Sequence, residues 1–206
     1  MPPKFKFTRA EMTAAALDVT REKGIAGLTA RSLASRLGCS VKPIFGLFEN
    51  MEEVQREVIA TANSLYLERI SREIAAEKYP PYKASGIAYI GFAREERELF
   101  KLLFMRDRSG EKMEDNREPV QPQIDQIRKA TGLGEEEAYR FHIEMWIYVH
   151  GIATMIATSY LDWDMEFIEQ TLTDEYIGLK YRFCQAGDQK GVTNGSYQDK
   201  PSHKKI

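Results

Sequence analysis

Histidine and cysteine are scarce in this sequence: three and two among 206 residues. Cys39 and Cys184 cannot make a disulfide framework, which suits a reducing compartment. His142, His150 and His203 form no His-Glu-x-x-His motif and no Glu-x-x-His pair, so neither a zinc hydrolase nor a di-iron bundle is expected. Phosphate-cradling loops of the Gly-x-x-x-x-Gly-Lys-Ser/Thr or Gly-x-Gly-x-x-Gly kind are missing too. Cys39 has no histidine near it in sequence to make it a nucleophile. No cofactor and no enzymatic activity are therefore expected. No apolar run approaches the roughly 20 residues of a membrane span. Residues 1–7 carry Lys4 and Lys6 but no apolar segment behind them, so they do not read as a signal peptide. The expected location is cytoplasmic, with no membrane partner.

What is present is an ordinary globular mixture, 43% hydrophobic and 29% charged. The net charge of −2 conceals an asymmetry. Residues 1–49 hold eight basic against four acidic side chains, a net +4, so the remainder carries −6. A basic leading segment on an acidic body suits a polyanionic partner for the leading segment alone.

The periodicity is helical throughout, and the expected fold class is all-α. Thr8-Arg9-Ala10-Glu11 has capping-box spacing, Met12, Ala15, Ala16 and Val19 follow on one face, and Gly24 ends the helix. Thr29 caps a second helix with Leu33, Ala34 and Leu37 as its stripe, and Gly38 stops it after about two turns. Ser40 then caps a predicted third short helix, with Pro43 in its first turn and Ile44, Phe45 and Phe48 as anchors. Asn50 opens a long helix running to about residue 78, where Tyr79-Pro80-Pro81 ends it. Further helices are expected near 84–95 and 97–106, from Pro119 to Gly132, and over about 135–160 and 164–185. A polar break spans 107–117, and the polar tail 188–206 reads as disordered.

Two short helices joined by Gly38-Cys39-Ser40 make a helix-turn-helix pattern. The run from Leu28 to Val54, with Leu37-Gly38-Cys39-Ser40 between its helices, Phe45-Gly46-Leu47-Phe48 after them and Asn50-Met51-Glu52-Glu53-Val54 beyond, resembles the signature of the TetR family. The likeness covers about residues 8–60. More loosely, residues 88–104 and Trp146-Ile147-Tyr148-Val149-His150-Gly151-Ile152-Ala153 are similar to the C-terminal domain of one TetR subgroup.

The resemblance implies a three-helix helix-turn-helix DNA-binding domain at 1–50 and a larger helical effector-binding and dimerisation domain at 51–187. It implies a transcription regulator, a repressor released from a palindromic double-stranded DNA operator by an unidentified small-molecule effector. It also implies a homodimer through the last two long helices. Thr29 at a helix N-terminus, reinforced by Arg31, would meet phosphate. Ser40, Val41, Lys42 and Pro43 would lie at base edges, with Lys42 reading guanine and Phe45 against sugar or a thymine methyl. Read without a partner, Thr29 and Ser40 are caps, Arg31 a solvated charge and Phe45 core. Phe45, Leu47 and Met51 stand where the family has an aromatic hydroxyl, a His and a Lys. Each change removes a phosphate contact, so either binding is weaker or Lys4, Lys6, Arg9 and Lys42 compensate. The alternative is a helical adaptor that has lost tight operator binding and acts through protein partners. The candidate effector pocket comprises Tyr66, Tyr89, Phe92, Phe104, Met105, Phe141, Met145, Trp146 and His150, with His142 and Thr154 as further polar handles. The competing reading of each is ordinary core.

Overall fold

The helix boundaries follow from local chemistry. The computed structural model describes residues 7–107 and 117–189, with side chains to 185. In α1 (Arg9–Lys23) the Thr8 hydroxyl accepts from Glu11 N while the Glu11 carboxylate accepts from Thr8 N at 2.7 Å, a complete capping box. Gly24, at φ 67°, ends it in a conformation other residues resist. In α2 (Ala30–Leu37) the cap is Thr29, and Gly38 turns the chain out in the left-handed region.

The segment expected as a third helix from Ser40 is instead a single 3₁₀ turn, Ile44–Gly46. Its bonds run three residues back, from Ile44 N to Val41 O and from Gly46 N to Pro43 O. Pro43 has no N–H to bond the carbonyl of Cys39, and Gly46 weakens any longer helix. Ile44 and Phe48 are nevertheless buried as expected, whereas Phe45 stands outside.

In α3 (Met51–Ala75), Asn50 is the cap, and Val54, Val58 and Ala62 are its fully buried positions at four-residue spacing. Pro81 opens α4 (Pro81–Glu95) at a position where a missing N–H does no harm. Then come α5 (Arg97–Phe104), a 3₁₀ turn at Glu118–Val120, α6 (Gln121–Thr131), α7 (Glu135–Ala157) and α8 (Met165–Gln189). Helix α4 is the axis of the molecule, packed between α3 and α7 and buried without a break from Ile87 to Ala93. Helix α6 lies on α7, and α8 lies on α7 and α4. Helix α1 touches α2, α3 and α5. One cluster of buried side chains runs from Met12 to Leu179.

The class is therefore all-α, with no strand among the described residues. Lys4, Lys6, most of the 107–117 break and the tail beyond Gln189 lie outside the described residues. No helix among those described is long and apolar enough to cross a membrane.

Three consecutive residues at the α4–α5 junction reach three different segments. Arg94 donates to the Asp162 carboxylate at 2.8 Å and to the Trp163 carbonyl, in the loop before α8. Glu95 accepts from both Nη atoms of Arg69 on α3. Glu96 accepts from Nη2 of Arg21 on α1 at 2.7 Å and from its Nε at 2.9 Å.

Candidate nucleic-acid interface and effector site

The candidate DNA face is built around the turn after α2. Thr29 and Arg31 are exposed at the start of α2, where the first N–H groups of a helix favour an anion. The Thr29 hydroxyl is occupied as a cap, accepting from Ser32 N at 3.1 Å. Beyond Gly38, Ser40 and Lys42 are exposed, while Val41 and Pro43 are half-buried and Val41 packs on the core. Phe45 is 47% exposed, although a phenyl ring prefers burial. Ser40, Lys42 and Phe45 are thus exposed in a segment anchored by the buried Ile44 and Phe48.

Arg9, expected as a compensating cation, is engaged within the protein. Its guanidinium lies 4.4 Å from the Phe48 ring centre, donates to the Leu47 carbonyl at 3.0 Å and pairs with Glu53 and Glu57. Those bonds hold the Glu53 carboxyl below its ordinary range. Leu47 and Met51 pack against the core instead of facing a phosphate. Sequence spacing could not show this, because Arg9 and Glu57 are 48 residues apart.

Of the candidate effector residues, the fold brings six together. Tyr66 sits edge-on to Tyr89 and Phe104, and tilted to Phe92. Tyr89 packs on Phe104 at 4.8 Å, and Trp146 stacks on His150 at 4.9 Å. Phe141 belongs to another group, with Tyr176 and Phe183, and Met105 is exposed at the end of α5. Met145 is buried on α7. Phe100, which packs on Tyr89, Phe104 and His150, was not singled out in the sequence; its place in a helical apolar stripe was the available signal.

Both handle histidines are already tied to tyrosines. Tyr89 Oη lies 2.8 Å from His150 Nδ1, and Tyr82 Oη lies 3.1 Å from His142 Nδ1. Burial lowers both imidazoles, His142 to about 4, so both rings are neutral, and in each pair the histidine tautomer decides which partner donates. The same burial raises Tyr66, Tyr82 and Tyr89 well above the ordinary phenol range. Thr154 has a buried hydroxyl with no partner.

Two concavities lie outside this stack. An apolar groove of about 410 Å³ runs between α7 and α8, bordered by Ile147, Gly151, Met155, Trp163 and Phe167. A smaller polar pocket of about 240 Å³ lies where α3, α4 and the start of α8 meet.

Comparison with known proteins agrees with this architecture. Residues 82–175 match the family described as "Tetracyclin repressor-like, C-terminal domain". The crystal structure of a transcriptional regulator from Rhodococcus sp. Rha1 is similar at 20% identity and a TM-score of 0.52, covering 85% of this chain and 97% of its own. A TetR variant from Acinetobacter baumannii AYE in complex with minocycline matches at 18% identity and a TM-score of 0.43, over 92% of this chain and 100% of its own. No curated protein matches the chain.

Proposed function

We infer that the chain is a TetR-like transcriptional regulator, which binds double-stranded operator DNA as a homodimer and represses transcription until a small molecule binds its body; the match of residues 82–175 to the tetracycline-repressor-like C-terminal domain supports this reading. Residues 1–50 form the DNA-binding part in this reading, and 51–187 the sensing and dimerising part. The observation that carries it is the face over the Ile44–Phe48 base. There Ser40, Lys42 and Phe45 are all exposed within six residues of chain, and Thr29 and Arg31 are exposed at the start of α2 before them. Lys42 and Ser40 suit base edges, Phe45 suits a thymine methyl, and the α2 N-terminus suits a phosphate.

Dimerisation is supported by the apolar surface of α7 and α8. Ile147, Phe167, Ile177 and Tyr181 are all exposed there, more than a monomer ordinarily leaves in water. A two-fold dimer would present two DNA faces to a palindromic site. An effector favouring a state with those faces wrongly spaced would lower operator affinity by that preference.

Fluorescence anisotropy with DNA from upstream of the protein's own gene tests the reading. Nanomolar, salt-sensitive, sequence-selective binding is expected. Weak binding indifferent to sequence would overturn it and favour the protein-binding adaptor, whose support is the internal use of Arg9, Leu47 and Met51.

A further inference from the structure

The apolar groove between α7 and α8 contains a glycine that packing within the chain does not explain. Gly151 lies in the interior of α7, with Ile147 one turn before it and Met155 one turn after. A Cβ at this position would meet nothing within 4 Å. Glycine inside a helix is destabilising relative to alanine, so α7 forgoes stability here for no contact of its own. At Gly91 of α4, by contrast, a Cβ would strike the Arg69 guanidinium. Phe167 and Thr171 of α8 line the other side of the groove, with Trp163 stacked on Phe167.

Further along α8, Ile177 and Tyr181 are 58% and 65% exposed. Fourteen residues of helix separate Tyr181 from Phe167. That spacing puts both on one side of α8 but about 21 Å apart, so Tyr181 cannot reach the groove of its own chain. Its neighbours Lys180 and Arg182 are exposed cations. Lys180 is in no ion pair among the described residues, and Arg182 pairs with Glu144 of α7. Residues 161–179, which include the α8 wall of the groove, hold six acidic side chains and no basic one. Asp162 pairs with Arg94, and Asp164 accepts from Phe167 N at the start of α8. Glu166 is exposed and in no ion pair among the described residues. The groove therefore has an acidic border and Tyr181 a basic one.

We propose that the groove over Gly151 receives Tyr181 from a second copy of this chain, whose α8 runs antiparallel to the first so that the exchange is reciprocal. The proposal rests on the homodimer reading and adds which side chain enters which hole. A two-fold axis crossing α8 between Phe167 and Tyr181 brings each tyrosine to the other copy's groove. The same arrangement sets Lys180 and Arg182 toward the partner's Glu166, so the charge borders match as the apolar parts do. Tyr160 is more exposed, at 75%, but it lies beside Asp162 and Asp164 and would bring acid to acid. A tyrosine suits a half-open groove, since its ring is buried while its hydroxyl stays in water. The volume, about 410 Å³, has room for one such ring.

The test pairs a filled groove with a missing ring. Gly151→Leu fills the groove and, with open space at its Cβ, leaves the fold of the single chain intact. Tyr181→Ala removes the ring that enters. Each variant alone is expected to weaken the homodimer of the full chain by about tenfold or more in sedimentation velocity. Mixed in equal amounts, they recover. In the mixed dimer the filled groove faces the copy without the ring, and the open groove faces an intact Tyr181. Native mass spectrometry should then find mixed dimers well above the half that random pairing gives. Random pairing, or an unchanged homodimer in Tyr181→Ala, overturns the proposal. If Gly151→Leu does not fold, Gly151→Ala replaces it in the same mixture. A dimer that Ile147→Asp separates but that both groove variants leave intact overturns this inference alone. An unmutated chain that sediments as a monomer overturns the homodimer reading with it.

Discussion

The turn after α2 and the aromatic centre of the body dispose of their polar and apolar groups in opposite ways. At the turn, polar side chains and even the Phe45 ring point outward, and a few residues beneath, Ile44, Phe48 and Arg9, hold the backbone in place. In the body, Tyr82 and Tyr89 are turned inward and each is hydrogen-bonded to a histidine. Tyr89 with His150 and Tyr82 with His142 bridge α4 to α7 across about 60 residues of sequence. A surface proposed to meet a polyanion needs open donors, whereas buried polar groups such as these phenols and imidazoles are stabilised by being paired.

The contrast is sharpest within the turn itself. Phe48→Ala should destabilise the fold by about 3–5 kcal/mol in urea denaturation, because a ring 2% exposed is lost beneath Arg9. Phe45→Ala, three residues earlier, should change stability by no more than about 0.5 kcal/mol. Equal losses at the two positions would break the distinction between base and crest.

The body should answer to acid where the turn does not. Folding favours neutral His142, whose pKa falls from an ordinary 6.5 to about 4. Stability from this group is intact above about 6.5 and is lost as pH falls toward 4, by up to about 3 kcal/mol. Urea midpoints measured across that interval should fall, and should fall less in His142→Gln. An identical slope in the variant would assign the acid sensitivity to other groups.

Smaller in free energy is the expected loss at Lys42. Lys42→Ala should weaken operator binding by about 1–3 kcal/mol, read by anisotropy, and leave urea stability unchanged. Ile147→Asp should convert a dimer to a folded monomer in light scattering, since that side chain is 60% exposed on α7. Smallest is Arg21→Ala: its pair with Glu96 is partly exposed and should contribute no more than about 1 kcal/mol to stability.

Legibility in the sequence followed the range of the interactions. The caps at Thr8, Thr29 and Asn50, the stops at Gly24 and Gly38, and the eight α-helices could be read because each depends on neighbours within a few residues. The 3₁₀ turn at Ile44 was missed because a short apolar spacing says helix whatever the hydrogen-bond pattern. Pro43 and Gly46 were the signals against it. The role of Arg9 and the two tyrosine–histidine pairs could not be read, since nothing local distinguishes a charge or an imidazole with a distant partner from one without. The aromatic candidates were identifiable as apolar, but their sorting into the Tyr89 group and the Phe141 group depends on how α4, α5, α7 and α8 cross.

The junction at Arg94, Glu95 and Glu96 has a mechanical meaning. Arg94 and Glu95 are successive helical residues projecting about 100° apart and Glu96 is the residue that caps α4, and their contacts leave in three directions, toward the loop before α8, toward α3 and toward α1. A shaft tethered on three sides at one level disturbs all three tethers when it turns about its own axis. Because each tether is a partly exposed ion pair, together they bias the end of α4 beside α1 against rotation, and tilting disturbs them least.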